Sequence, residues 1–324
     1  MKLPRRNFLH LALGAAALPA MSRIARAQAY PRKPVRVIVG FAAGGGSDIF
    51  ARLIGQRLSE RLGQQFIVEN RPGGNSNIAT EAVVRAPPDG YTLLLVDSSP
   101  AINATLYDKL SFNFIRDIAP VAGIASQPLV MLVNPSFPAK TIPEFIDYAK
   151  ANPDKINMAS GGNGNVTHLV GEMFKMMAGV NMIHLPYRGG GAALADLLGG
   201  QVSVLFTGVP SAIEYIRAGR LRALGVTSAR RLGVLSDVPT LGQFLPGCDA
   251  DDWKGIGAPK NTPPEIIDML NEEINTALAD PKFKARVVDL GGVPMSMTAA
   301  EFGKFVGAET EKWGKVIRAA NIKL

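Results

Sequence analysis

Cysteine and histidine are scarce in this chain of 324 residues, which contains one cysteine, Cys248, and three histidines. A single cysteine excludes a disulfide-stabilised scaffold, and so few metal-binding side chains nearly exclude a Cys/His zinc cluster. Charged residues are also few, at 19%, whereas hydrophobic residues make up 47%. The chain can therefore bury a large core and is not disordered. We interpret Cys248 as an ordinary, partly buried thiol.

Acidic residues are absent from positions 1–27, which carry five basic residues and an apolar run from Leu9 to Met21. The small residues of Ala25-Arg26-Ala27 follow that run. A basic start, a short apolar run and a small-residue cleavage motif are typical of an export signal. The run has 13 residues, well short of the ~20 that span a bilayer. We therefore predict an export signal over residues 1–27, cut after Ala27 or Ala29.

The signal accounts for most of the basic charge of the chain. The full sequence has a formal charge of +8, and without residues 1–27 it keeps 30 basic and 27 acidic residues, or +3. This near balance gives no reason to expect a nucleic-acid partner. Arg5-Arg6-Asn7-Phe8-Leu9 resembles a twin-arginine signal, although Pro4 and His10 depart from it, so the export route stays open. No later apolar run is long enough for a membrane span, so we expect a soluble exported protein.

Short apolar runs alternate with helical patterns along most of the chain, which predicts an α/β fold with mainly parallel sheets and helices on both faces. The predicted strands are residues 35–40, 65–69, 92–96, 129–133, 157–160, 182–185, 202–207 and 221–227. After about residue 262 only helices are predicted, and their apolar stripes need a sheet to cover. We therefore predict two lobes, lobe I from residues 28–124 and 229–324, and lobe II from residues 125–228.

Two glycine-rich loops, residues 41–48 and 160–168, each follow a predicted strand and open a helix. Glycine lets the backbone approach a ligand closely, and the free N–H groups at a helix start favour an anion. Enzyme motifs do not fit: Ile49 breaks the dinucleotide fingerprint, and Met158 breaks the nucleophile elbow around Ser160. Neither loop contains the Gly-Lys-Ser/Thr of a phosphate loop. Tight turns without a ligand remain the alternative.

Few charged side chains accompany these loops. Asp48 either contacts a ligand or caps its own helix, and the sequence leaves both open. His168 and Glu172 have the helical spacing of metal ligands, but without a third ligand we favour a structural or ligand-orienting histidine. The adjacent carboxylates Asp251-Asp252 and Glu272-Glu273 are expected on solvated faces.

A set of motifs spread over residues 30–324 resembles one family. They include Phe41–Asp48, Val68-Glu69-Asn70-Arg71-Pro72-Gly73, Pro88-Asp89-Gly90-Tyr91-Thr92-Leu93, Pro186-Tyr187-Arg188-Gly189 and Asp196-Leu197-Leu198-x-Gly200-Gln201-Val202. Together they resemble the Bug-type, or TctC-like, solute receptors of tripartite tricarboxylate transporters. The resemblance implies a type II periplasmic-binding-protein fold, whose two lobes close on a small ligand that is often a carboxylate.

The resemblance also implies the ligand-binding residues, which come from both loops. They are Phe41, Ala42, Gly45, Ser47 and Asp48 from lobe I, and Ser160, Gly161, Asn165, Thr167 and His168 from lobe II. Thr207 stands where the family commonly has an aspartate that faces the cleft. We expect Thr207 to make this cleft less acidic and to favour plain mono- or dicarboxylates over amino acids. Residues 72–77 also depart from the family pattern and are expected to border the cleft.

The expected function is capture of a small carboxylate in the periplasm for membrane permease subunits, by a monomer without catalysis, metal or cofactor. A sensor for a signalling partner is one alternative, because it would use the same cleft. An exported enzyme is a weaker alternative, since it needs a nucleophile–base pair or a metal set and the sequence indicates neither.

Overall fold

The computed structural model describes residues 30–248, 250–319, 322 and 323. The predicted export signal and both predicted cleavage sites lie outside the described residues. Within them, no helix is long and apolar enough to cross a membrane.

The first sheet is built from the beginning and the end of the chain. Its strands run in the order β2 (Phe66–Asn70), β1 (Val35–Val39), β3 (Thr92–Val96), β9 (Asp251–Pro259) and β4 (Ile118–Val133), and β10 (Val293–Pro294) adds to β4. Strands β2, β1 and β3 are parallel, whereas β9 is antiparallel to both β3 and β4.

The second sheet begins on the same β4 strand. Residues 118–128 of β4 pair with β9, residues 129–133 pair with β7 (Val204–Gly208), and residues 130–133 pair with β8 (Arg222–Val226). Beyond β7 lie β5 (Asn157–Ser160) and β6 (Ile183–Pro186), both parallel to their neighbours. One long strand therefore connects the two sheets.

Helices cover both faces of each sheet. They are α1 (Gly46–Leu62), α2 (Asn77–Val84), α3 (Ser98–Leu106), α4 (Phe114–Asp117), α5 (Ile142–Ala151), α6 (Val166–Ala178), α7 (Gly190–Leu198), α8 (Val209–Arg217), α9 (Pro264–Ala279), α10 (Pro281–Asp289) and α11 (Ala299–Ala319). Helices α1 and α9 bury apolar side chains on one face of the first sheet, and α2 and α11 do so on the other. The predicted late helices thus cover the first sheet. Each large apolar side chain buried in this way contributes about 1.5–3 kcal/mol.

The α/β fold is confirmed, and β3, α5 and β5 have the predicted bounds. The sequence did not predict β9, because Asp251, Asp252 and Lys254 break its apolar run. It also did not predict the first part of β4. The prediction of helices alone after residue 262 was wrong, since the short β10 pairs with β4. The pairing is also more mixed than expected, and each antiparallel pair among the described residues includes β4 or β9.

Candidate functional site

Five helices begin around one small space between the two sheets, which we call the inner cavity. Its volume is about 40 Å³. The first residues or N-cap residues of α1, α3, α6, α7 and α8 line it. The lining residues are Phe41, Gly45, Gly46, Ser47, Asp97, Ser99, Gln127, Gly161, Asn165, Val166, Thr167, Gly190, Thr207, Gly208 and Asp252.

The five helix N-termini differ in whether a side chain satisfies their N–H groups. The side chains of Asp97 and Asn165 cap α3 and α6. Gly45, Gly189 and Gly208 precede α1, α7 and α8, where no side chain of the described residues makes a cap hydrogen bond. Because a helix start carries partial positive charge and unpaired N–H groups, these three ends can hold an anion.

The backbones of the two sides touch beside the inner cavity. The Ala42 N–H donates to the Arg188 carbonyl at 3.4 Å. A Cβ at Gly189 would lie 3.1 Å from the Ala42 nitrogen, and one at Gly191 would lie 2.9 Å from the Ala43 carbonyl oxygen. Glycine is needed here because any larger residue would hold the two loops apart.

A larger space, the outer cleft, adjoins the inner cavity. Its volume is about 530 Å³, and it shares Phe41 and Gly161 with the inner cavity. The stretch from Pro72 to Asn75 lines it, in the loop that the sequence expected at the rim. A groove of about 610 Å³ along α1 and β2 contains none of the predicted site residues. The two adjoining spaces are therefore the candidate site.

The predicted site residues divide into two groups. Phe41, Gly45, Ser47, Gly161, Asn165, Thr167 and Thr207 line the inner cavity. The remaining four, Ala42, Asp48, Ser160 and His168, line neither the inner cavity nor the outer cleft. Each of those four instead makes a contact that shapes one of the loops.

Asp48 is tied to its own loop. Its carboxylate is 3% exposed and accepts hydrogen bonds from the Gly44 N–H, Arg52 Nε and Asn70 Nδ2, each at 3.0 Å. Burial alone would raise the pKa of Asp48, but these hydrogen bonds hold it below its ordinary value. Gly45 is the N-cap residue of α1, and Asp48, in the first turn, accepts the Gly44 N–H just before it, so Asp48 stabilises the start of its own helix without being the N-cap residue. Its contacts are those of a residue that shapes the ligand-side loop.

His168 likewise shapes the second glycine-rich loop, residues 160–168. Its Nδ1 accepts the Gly164 N–H at 3.1 Å, and its Nε2 lies 3.6 Å from Glu172. The described residues contain no group of side chains suited to a metal ion. These contacts agree with a structural or loop-orienting histidine.

Ser160, at the end of β5, and His184, in the neighbouring β6, form a serine–histidine pair. This corrects the expectation that no nucleophile–base pair exists. The Ser160 hydroxyl is 2.6 Å from His184 Nε2, and the His184 ring stacks on His168 with centroids 3.8 Å apart. Ser160 is fully buried and borders neither cavity. Burial, with His168 beside it, lowers the pKa of His184 to about 4. The sequence missed the pair because His184 lies within a predicted strand, 24 residues from Ser160.

Two carboxylates that line the inner cavity were also not predicted as site residues from the sequence. Asp97 is 3% exposed and accepts the Ser47 hydroxyl at 2.9 Å. Burial raises the pKa of Asp97 in spite of the nearby Lys254 ammonium. Asp97 directly follows β3, and residues at the carboxyl ends of parallel strands often contact ligands. Its position in the sequence could therefore have indicated a site residue.

Asp252 shows that the expectation of a solvated Asp251-Asp252 pair was wrong. Asp252 accepts the Ser98 hydroxyl at 2.7 Å and pairs with Lys254, which is only 1% exposed. Asp251 accepts the Ser126 hydroxyl at 2.7 Å. Both carboxylates lie within a strand between two others, where hydrogen bonds replace water.

Helix N-termini from both sheets meet at one small space, an arrangement suited to holding a small solute. The chain belongs to the TctC family, the tripartite tricarboxylate transporter family receptors, whose family model matches residues 50–322. Members of this family are periplasmic solute-binding proteins.

Similar proteins support this membership over nearly the whole chain. Protein BugT of Bordetella pertussis is 35% identical over 301 residues, which is 92% of each chain. The structure of R. palustris Rpa4515 with adipate is 33% identical, with a TM-score of 0.88, over 91% of this chain and 99% of that one. MatC from Rhodopseudomonas palustris with bound malate is 31% identical, with a TM-score of 0.83, over 89% of this chain and 100% of that one.

Proposed function

We propose that this chain captures a small organic carboxylate between its two sheets and presents it to the permease subunits of a tripartite tricarboxylate-type transporter. The observation that carries the proposal is the meeting of α1, α7 and α8, three helix N-termini preceded by glycine, at one cavity. The bound adipate and malate in two related structures support a carboxylate as the ligand.

Ligand entry requires the two sides to part. A cavity of about 40 Å³ has room for about one or two water molecules, which is less than a dicarboxylate needs. We infer that lobe I (residues 28–124 and 229–324) and lobe II (125–228) separate by bending of β4, which crosses between the sheets. A ligand that contacts both lobes favours the closed form by its differential affinity.

The predicted residues act in two ways. Phe41, Gly45, Ser47, Gly161, Asn165, Thr167 and Thr207 surround the ligand in the inner cavity. Ala42, Asp48, Ser160 and His168 hold the loops in shape through the contacts described above. We expect much of the ligand's hydrogen bonding to come from backbone N–H groups, because three of the helix starts lack a side-chain cap.

We further infer that the protein is not an enzyme and works as a monomer in the periplasm, to which the predicted export signal directs it. Family membership supports a receptor. The burial of Ser160 away from both cavities supports the absence of catalysis, because a nucleophile must reach its substrate.

Calorimetric titration of the processed protein, residues 28–324, with a panel of carboxylates tests the proposal. At least one mono-, di- or tricarboxylate should bind at a 1:1 ratio, and at 100 times its Kd it should stabilise the fold by about 2.7 kcal/mol. Gly190→Val would place a side chain in the inner cavity and should weaken binding at least tenfold. Gly233→Val is the matched control, since a Cβ at Gly233 meets nothing within 4 Å. Equal affinity of both variants would place the ligand elsewhere.

A further inference from the structure

Gln127 is a buried polar side chain whose contacts within the chain are incomplete. It is 1% exposed, lines the inner cavity, and stands on β4 opposite Asp252, just before the strand passes from the first sheet to the second. Its amide oxygen, Oε1, has no hydrogen-bond partner among the described residues. A buried acceptor without a donor carries a penalty equivalent to about a 5- to 150-fold change in an equilibrium constant.

Two glycines make room for this amide. A Cβ at Gly46, the first residue of α1, would lie 2.8 Å from Gln127 Nε2 and 2.9 Å from Oε1. A Cβ at Gly208, which precedes α8, would lie 1.6 Å from Nε2. The amide therefore sits between two of the three uncapped helix starts, one from each side of the cavity. It is positioned beside any anion that those helix starts hold.

The two carboxylates near the amide already accept hydrogen bonds within the chain. The Asp97 carboxylate accepts from the Ser47 hydroxyl and the Ser99 N–H. The Asp252 carboxylate pairs with Lys254. The free Gln127 oxygen needs only a neutral donor. A hydroxyl group next to the ligand's carboxylate supplies such a donor without adding charge.

We propose that Gln127 recognises a hydroxyl group on the bound carboxylate, so that the chain prefers hydroxycarboxylates to the same acids without the hydroxyl. This inference rests on the proposed function and adds the ligand's second functional group to it. Oε1 is inaccessible in this structure, and parting of the two sides would free the amide from between Gly46 and Gly208. The ligand carboxylate then lies against the helix starts, its hydroxyl donates to Gln127 Oε1, and the ligand satisfies the acceptor that the chain leaves open.

Matched ligand pairs test the preference on the processed wild-type protein by calorimetry. The pairs are malate with succinate, lactate with propionate, and 2-hydroxyglutarate with glutarate, and aspartate is added as the ammonium analogue of malate. In the pairs that bind, the hydroxy acid should bind about tenfold or more tightly. Equal affinity within the pairs, or tighter binding of aspartate than of malate, would overturn the inference without affecting the proposed function. Absence of binding by every carboxylate would overturn both.

Gln127→Met keeps the size of the side chain and removes its polar atoms. It should reduce the preference within each pair to about one, mainly by weakening the hydroxy acid. Its melting temperature without ligand should equal or exceed that of the wild type, because an unsatisfied buried amide is removed. A purely structural glutamine would instead lower the melting temperature and weaken both acids of a pair equally, which would contradict the inference.

Ser211→Ala is the matched control. The Ser211 hydroxyl is also buried without a partner among the described residues, but Ser211 does not line the inner cavity. This variant should keep the wild-type preference within each pair. A loss as large as that of Gln127→Met would show that the preference does not arise at Gln127. The wild-type comparison needs no variant, so the inference stays testable if Gln127→Met does not fold.

Discussion

A carboxylate at position 207 should abolish binding of the ligand that the wild type accepts. Thr207 is 3% exposed on β7 and lines the inner cavity. A Cβ at Gly190, the first residue of α7, would lie 3.1 Å from the Thr207 hydroxyl. In Thr207→Asp the new charge would lie beside the starts of α7 and α8, so it would compete with the ligand for the same N–H groups.

The size of the effect follows from Coulomb's law. Two carboxylates about 5 Å apart, at an effective dielectric constant of about 20, repel by roughly 3 kcal/mol, or more than a hundredfold in affinity. The variant should also discriminate less strongly against amino acids, because an ammonium group gains a partner. Thr207→Asn is the control of equal size without charge, and it should stay within about fivefold of the wild type.

Calorimetric titration of both variants at pH 7 with the tightest-binding carboxylate measures this difference, and thermal melting without ligand confirms that each is folded. Binding by Thr207→Asp within threefold of Thr207→Asn would refute a carboxylate site at this end of β7. An equally large loss in both variants would show that the effect is steric, which would refute the electrostatic reasoning.

Two further predictions concern groups that shape the loops. Asp48→Asn should lower the free energy of unfolding by about 1–3 kcal/mol at pH 7. Because the pKa of Asp48 is lowered in the folded protein, the stability that its carboxylate contributes to the wild type should decrease as pH falls below the ordinary pKa of 3.8. Urea unfolding measures the change in the free energy of unfolding, and Glu214→Gln is the control, because Glu214 belongs to an exposed ion pair. An equal loss of stability in Asp48→Asn and Glu214→Gln would contradict a stabilising role for the buried hydrogen bonds of Asp48. The pKa of His184 is lowered from 6.5 to about 4 in the folded protein, so the unfolded chain binds more protons between these values. Stability should therefore fall as pH drops from about 6.5 to 4, by no more than about 3.4 kcal/mol. His184→Gln should flatten that dependence, and unfolding curves with the same slope in both proteins would show that another group titrates.

Local signals in the sequence account for much of the predicted fold. Helix α5 begins where Thr141 caps it by accepting the Glu144 N–H, and α1 ends at Gly63, which has a left-handed φ of 69°. Strand β3 is buried throughout and apolar after Thr92, so its bounds could be predicted from the sequence. The bounds of β9 could not be predicted, because Asp251 and Asp252 find their serine partners, Ser126 and Ser98, only in the folded sheet.

The same distinction applies to the site. The two glycine loops could be predicted as binding loops, since glycine before a helix is itself a local signal of a free N-terminus. The role of Gln127 could not be predicted, because its surroundings come from Gly46 and Gly208, which are about 80 residues away on either side. The Ser160–His184 contact likewise requires β5 and β6 to pair. Contacts between distant residues therefore limited the prediction of the site more than that of the fold.

The most direct test of the account is a crystal structure of the processed protein with the carboxylate that binds most tightly. We expect the ligand carboxylate within hydrogen-bond distance of N–H groups at the starts of α1, α7 or α8, with both sheets contributing contacts. A carboxylate bound outside the inner cavity and the outer cleft, or held by one sheet alone, would contradict the account.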